Sequence, residues 1–207
     1  MKLHWALASP FVRKVMVVAH ETGTAERLQL IETTVSMGEA NTVVQRTNPL
    51  SKIPTLILED GTSLYDSRTI CEYLDSLHTG PKLFPPAPQR WDALRRHSLG
   101  DGLMDALILW RQERLKPQAR QTPEWLATFA RKIEVALSQL DEEADSLARR
   151  PFDIGHIALG CALGYMDFRF ADVDWRAGAP RLAGWHATFE ARPSAIATHP
   201  SRPSRPS

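Results

Sequence analysis

The sequence predicts an α/β domain followed by an all-α domain, and three observations carry that prediction. Residues 1–78 switch repeatedly between the period-two apolar pattern of strands and the 3.6-residue pattern of helices. The stretch Thr79 to Pro88, interrupted by Gly80, Pro81, Pro85, Pro86 and Pro88, cannot sustain a helix and reads as a linker. From Gln89 to Pro193 only helical periodicity remains. With 207 residues the chain is long enough for two modest domains.

Leu3 and Trp5 alternate with Lys2 and His4 as in a strand, and Val12, Val15, Met16 and Ala19 follow at helical spacing. A second strand is expected near Leu28–Ile31 and a short helix around Glu39 to Arg46, stopped by Asn48-Pro49. Thr55-Leu56-Ile57-Leu58, the turn Glu59-Asp60-Gly61 and Ser63-Leu64-Tyr65 read as a hairpin, and Ile70, Leu74 and Leu77 mark a third helix. Residues 1–78 therefore spell β-α-β-α-β-β-α. In the second domain, 89–193, Leu99, Leu103, Ala106, Leu107 and Trp110 form one stripe and Ile133, Leu137 and Leu140 another. Pro117 and Pro123 bracket the break between these helices, while Pro180 and Pro193 bracket a short last one. The low-complexity end leads us to expect a disordered tail over 194–207.

Composition narrows the function. With 25 basic and 24 acidic residues the chain has no field to attract a nucleic-acid backbone, and 43% apolar against 24% charged residues is ordinary globular composition without a membrane-length apolar run. Cys71 and Cys161 lie far apart in apolar helical patterns, so neither a disulfide framework nor a metal cluster is expected, and a reducing, cytoplasmic setting fits. The start of the chain only faintly imitates a signal peptide, because His4 breaks the apolar run and Arg13-Lys14 follow it.

Three loops carry residues suited to binding. Ser9-Pro10-Phe11-Val12 joins the first strand to the first helix, where a thioredoxin-like fold would carry two cysteines; here both are missing. A serine there either caps the helix or donates a hydrogen bond to an anion held at its positive end. Asn48-Pro49-Leu50-Ser51-Lys52-Ile53-Pro54 ends in a proline just before a strand, either an ordinary turn or, with a cis bond, a main-chain edge open to an extended peptide. Asp66-Ser67 opens the third helix, as a cap or as a partner for an amine and a carboxylate.

Taken together, Ser-Pro-Phe-Val-Arg-Lys after strand one, Asn-Pro-Leu-Ser-Lys-Ile-Pro before the hairpin, Asp-Ser before helix three and the helical domain beyond a proline-rich linker resemble the cytosolic glutathione S-transferase family. The resemblance extends to about Pro193 and is strongest to bacterial members with Ser-Pro-Phe at the active site. It implies an N-terminal thioredoxin-like domain, a C-terminal helical glutathione-transferase domain, a homodimer, and glutathione as cosubstrate with no metal. It gives Ser9 the thiolate, Lys52 the glycine carboxylate, Ile53 main-chain pairing across a cis bond to Pro54, and Asp66 with Ser67 the γ-glutamyl head. Two departures stand out: Ser51 where glycine is common, and Asp66 where glutamate is common.

The implied reaction is attack by the glutathione thiolate on a small hydrophobic, soft electrophile, with detoxification as its role. Phe11, Met104, Trp110 and Tyr165 are the candidates for the electrophile pocket, although for Met104, Trp110 and Tyr165 the helical pattern favours core packing. No cysteine at position 9 argues against a mixed-disulfide reductase, and no tyrosine before Tyr65 argues against a tyrosine-activated class. A peroxidase, isomerase or lyase on the same fold, or a non-catalytic interaction protein, remain the rival readings. Asp153 reads as a helix cap with Phe152 and Ile157 as a hydrophobic staple, and His156 stands where the family carries an acid. Asp101 and Asp105, one turn apart, read as solvated or paired with Arg95, Arg96 or Arg111 near a dimer cleft.

Overall fold

The computed structural model describes residues 1–201, which form two compact units. The first comprises residues 1–86 together with the described residues from Pro193 onward; the second comprises residues 87–192.

In the first unit β1 (Lys2–Trp5), α1 (Pro10–Glu21), β2 (Gln29–Glu32), α2 (Thr42–Gln45), β3 (Thr55–Ile57), β4 (Ser63–Leu64) and α3 (Ser67–Ser76) follow in the predicted order. The sheet runs β2-β1-β3-β4, with β1 parallel to β2 and antiparallel to β3, and β3 antiparallel to β4, a thioredoxin-like arrangement. A parallel β1–β2 pair needs a crossover, and α1 supplies it. Its apolar stripe Val12, Val15, Val18 and Ala19 is buried together with Leu3 and Leu56 of the sheet and Ile70 and Leu74 of α3. The α2 helix is shorter than the sequence suggests. Asn41 Oδ1 accepts from the N–H groups of Val43, at 3.0 Å, and Val44, at 3.2 Å, so the cap sets the start and leaves 36–40 outside the helix.

Two stretches depart from expectation. The proline-rich segment after Thr79 is anchored: the buried Asp75 carboxylate accepts from the N–H groups of Leu83 at 2.9 Å and Phe84 at 3.1 Å, and both side chains are buried. The expected tail begins later than 194, because Pro193–Ala197 forms a short helix, α9, on α1. Arg13 Nη2 donates to the Ala195 carbonyl at 3.3 Å, Ser194 bonds to Glu21, and Ala195 is fully buried. A small apolar residue fits against α1, and the Ala195 carbonyl at this helix end accepts from Arg13 as well as from the N–H and hydroxyl of Thr198. The expectation for 202–207 lies outside the described residues.

The second unit holds α4 (Gln89–Arg114), α5 (Pro123–Arg149), α6 (Ile154–Arg169), α7 (Trp175–Gly178) and α8 (Pro180–Glu190). Every residue of α6 from Ile154 to Met166 is buried, as befits a helix apolar on all sides. Its closeness to α4 depends on missing side chains: a Cβ on Gly100 would lie 2.6 Å from the Ala158 carbonyl carbon, and one on Gly155 2.6 Å from Arg96 Cβ. Asp153 caps α6, as read from the sequence. Its Oδ1 accepts from Gly155 N at 2.9 Å and His156 N at 3.2 Å, while His156 Nε2 donates to the Leu147 carbonyl at 3.0 Å. No helix among the described residues is long and apolar enough to cross a membrane.

Candidate functional site

Strand register brings the three candidate loops to one end of the sheet. His4, next to the C-terminal end of β1, pairs with Thr55 at the N-terminal end of β3, and Leu64 at the C-terminal end of β4 pairs with Leu56. The segments that hold Ser9, Lys52-Ile53 and Asp66-Ser67 are those that leave β1, enter β3 and leave β4. They therefore emerge at the same sheet end, where α1 and α3 also begin.

Ser9 is the N-cap of α1, with Pro10 at the first helical position. Its Oγ accepts from Val12 N at 3.3 Å, its φ and ψ are extended, and it is half-buried. No described residue accepts a hydrogen bond from its hydroxyl. The two readings of this serine are thus compatible, since capping uses an oxygen lone pair and leaves the O–H donor. Around it the first N–H groups of α1 present partial positive charge.

The turn before β3 is held by Asn48, buried to 2% exposure. Asn48 Nδ2 donates to the Lys52 carbonyl at 3.1 Å and to Thr55 Oγ1 at 3.0 Å, and its Oδ1 accepts from Leu50 N at 3.0 Å. Ser51 has φ of 53°, the left-handed region that glycine tolerates best. Its Oγ accepts from Asn41 N at 2.7 Å and donates to the Asn41 carbonyl at 3.3 Å, which ties the turn to the start of α2. Lys52 is exposed, Ile53 is half-buried, and the Ile53–Pro54 bond is cis. The Ile53 main chain makes no backbone hydrogen bond among the described residues. Asp66 caps α3 through Oδ1, which accepts from Arg68 N at 2.9 Å; Ser67 is the buried first residue of that helix.

The electrophile-pocket candidates divide between the units. Phe11 lies half-buried on α1 with Lys14 Nζ 5.7 Å from its ring centre. In the helical unit Met104 has no exposed surface, which makes it a core residue, while Tyr165 is 7% exposed. Trp110 stacks on Phe170 with ring centres 4.8 Å apart, and the Arg114 guanidinium lies 5.2 Å from the Trp110 ring. Asp101 is buried with its Oδ2 3.4 Å from His97 Nε2, and two of the three expected arginine partners hold other acids: Arg95 holds Glu143, and Arg96 holds Asp92 and Asp153. No group of three or more His, Cys, Asp or Glu side chains among the described residues is placed to hold a metal ion. The sequence marks Asn48-Pro49 as a turn but does not reveal that the Asn48 side chain holds it.

Comparison with known proteins agrees with this architecture. The N-terminal domain of glutathione S-transferase matches residues 3–82, and its C-terminal domain matches residues 122–188. A glutathione transferase family member from Pseudomonas fluorescens Pf-5, solved with bound glutathione, superposes with a TM-score of 0.93 at 43% identity, covering 97% of this chain and 99% of that one. A glutathione transferase family member from Pseudomonas fluorescens Pf-5 with bound S-(propanoic acid)-glutathione gives a TM-score of 0.88 at 42% identity over 98% of this chain and 100% of the other. A glutathione S-transferase from Methylobacillus flagellatus KT with glutathione bound gives 0.86 at 34% identity, over 96% and 98%. The uncharacterized GST-like protein YibF of Escherichia coli (strain K12) is 31% identical over 98% of this chain and 100% of its own length. With both domains matched and a relative similar from end to end, the chain belongs to the glutathione S-transferase family.

Proposed function

We propose that this chain is a glutathione transferase with a Ser-Pro-Phe active site, which binds glutathione at the shared sheet end and activates its sulfur as a thiolate. The observation that carries the reading is the convergence of Ser9, Ile53 and Asp66 at that end, beside the N-termini of α1 and α3. Each role follows from the group available. The Ser9 O–H donates to the thiolate, and the α1 terminus adds partial positive charge; both lower the pKa of a thiol that is about 8.5 when unperturbed. Ile53 pairs through its main chain with the cysteinyl residue, as an added strand does. The Lys52 ammonium meets the glycine carboxylate. Asp66 meets the γ-glutamyl amine, and the N–H groups at the start of α3, with Ser67, meet its carboxylate.

The activated sulfur attacks a soft electrophile: a C–S bond forms, the leaving group departs with the bond electrons, and the enzyme contributes by ionising and positioning the thiol. The bound glutathione in the Pseudomonas and Methylobacillus proteins, and the S-linked conjugate in the former, support this substrate class. We assign the protein to the cytoplasm as a homodimer, the latter testable by light scattering. Spectroscopic pH titration of the protein saturated with glutathione tests the central claim. Thiolate absorbance near neutral pH is expected; glutathione that binds but ionises like the free thiol removes the activation, and no calorimetric binding favours a non-catalytic protein.

A further inference from the structure

The turn that enters β3 is organised around one carbonyl. The Lys52 C=O accepts from Asn48 Nδ2 at 3.1 Å and from Thr55 Oγ1 at 2.9 Å, which uses both of its lone pairs. The second Nδ2 hydrogen of Asn48 goes to Thr55 Oγ1 at 3.0 Å, so the three groups close a ring of hydrogen bonds. Both side chains are buried, Thr55 fully. Asn48 is itself fixed at every polar group. Its Oδ1 accepts from Leu50 N at 3.0 Å, its carbonyl accepts from Ser51 N at 2.9 Å, and its N–H donates to the Val44 carbonyl at 2.8 Å. Because Oδ1 must face the Leu50 N–H, the amide cannot be turned over, and Nδ2 is the atom aimed at Lys52.

The ring has a consequence for the next residue. The Lys52–Ile53 peptide is planar and trans, so its C=O and N–H point to opposite sides. With the C=O drawn toward the buried Asn48 and Thr55, the Ile53 N–H is directed away from them and its plane is fixed. That N–H has no hydrogen-bond acceptor among the described residues, although Ile53 is half-buried and lies just ahead of β3. A main-chain donor without a partner beside a strand is what an extended ligand pairs with. An unheld peptide would lose part of that contact energy to ordering.

We propose that Asn48 and Thr55 are positioning residues for glutathione: through the Lys52 carbonyl they aim the Ile53 N–H at the cysteinyl carbonyl of the bound tripeptide. The inference rests on the glutathione reading of the sheet-end site. Lys52 then serves twice, its ammonium for the glycine carboxylate and its carbonyl for the aim of the following N–H. Neither Asn48 nor Thr55 needs to touch the ligand. Loss of one well-aimed neutral hydrogen bond costs about 3- to 10-fold in affinity.

Three variants test the ring. Thr55→Val removes the hydroxyl at nearly constant volume, Thr55→Ser keeps it, and Asn48→Asp keeps an acceptor for Leu50 N while removing the Nδ2 donor. Each protein is read by the NMR order parameter of the Ile53 N–H without ligand and by calorimetry with glutathione. Wild type and Thr55→Ser should give an order parameter of about 0.85, the value of rigid backbone. In Thr55→Val and Asn48→Asp it should fall toward about 0.6, with glutathione bound about 3- to 10-fold more weakly. Either of these two variants decides the matter, so one that fails to fold leaves the other. An Ile53 order parameter that keeps its wild-type value in both, or that falls without loss of affinity, overturns the proposal. A loss of affinity in Thr55→Ser equal to that in Thr55→Val also overturns it. A wild type that binds no glutathione, but whose Ile53 N–H loosens in Thr55→Val, upholds the aimed N–H and removes only the glutathione reading.

Discussion

Arg96 Nη2 on α4 lies 2.9 Å from Oδ2 of Asp153, the cap of α6, and both side chains are buried. One carboxylate therefore does two jobs. Oδ1 satisfies the first N–H groups of α6, and Oδ2 answers a guanidinium whose other arm holds Asp92 at 2.6 Å. Burial raises the Asp153 pKa, but the hydrogen bond and charge of His156, with the charge of Arg96, outweigh it and hold the carboxyl below its ordinary value.

Replacing Asp153 by Ala should cost more than the roughly 0.5–2 kcal/mol of a lost cap, because Arg96 loses a buried partner; about 3 kcal/mol is expected from denaturant unfolding. Glutathione affinity should not change. The depressed pKa also fixes a pH dependence. The folded form binds this proton less readily than the unfolded chain, whose Asp titrates at about 3.9. Stabilisation by Asp153 is then complete above that pH and disappears as pH falls through the lower, folded value. The stability gap between wild type and Asp153→Asn should accordingly shrink below about pH 4, and a gap constant down to the acid transition would contradict the depressed pKa.

Ser9→Ala removes one donor to the thiolate but leaves the helix terminus. The pKa of bound glutathione should rise by about one to two pH units, each worth about 1.4 kcal/mol, with a much smaller change in affinity. The lost cap should also lower protein stability by about 1 kcal/mol. Ultraviolet titration at saturating glutathione reads the first effect and thermal unfolding the second; an identical thiolate pKa in both proteins would exclude Ser9 as the activating group.

Asp66→Ala should give the opposite pattern. Loss of a charged partner for the γ-glutamyl amine should weaken glutathione binding by about 10-fold or more in calorimetry, while whatever still binds ionises as in the wild type. A pKa change without an affinity change would exchange the roles assigned to Ser9 and Asp66.

At Ser51 two effects oppose each other. Glycine relieves the positive φ, worth about 1 kcal/mol, but gives up both hydrogen bonds to Asn41; alanine gives up the bonds and keeps the strain. Ser51→Gly should therefore be about 1 kcal/mol more stable than Ser51→Ala in chemical denaturation. Equal midpoints would show that the turn relaxes away from the left-handed conformation.

What the sequence disclosed depended on the range of the signal. The order β-α-β-α-β-β-α was legible because alternation and helical spacing act over a few residues, and the Asp153 cap because its partners lie two and three positions away. Long-range partnerships were hidden. Nothing near Asp75 indicates that it will bind the N–H groups of Leu83 and Phe84, and nothing near Arg13 indicates Ala195. For Met104 the helical stripe leaves core and pocket both open, and its side chain has no exposed surface.

The seating of α9 on α1 makes the α/β unit discontinuous along the chain, with residues 87–192 inserted between its two parts. During synthesis the sheet and its helices leave the ribosome first, yet the carbonyl that Arg13 binds arrives more than a hundred residues later. Until then the face of α1 against which Ala195 is buried has no α9 on it. Assembly of the α/β unit thus ends with a late docking event, and a fragment cut at Pro86 would keep every proposed glutathione contact while lacking the helix that packs on α1.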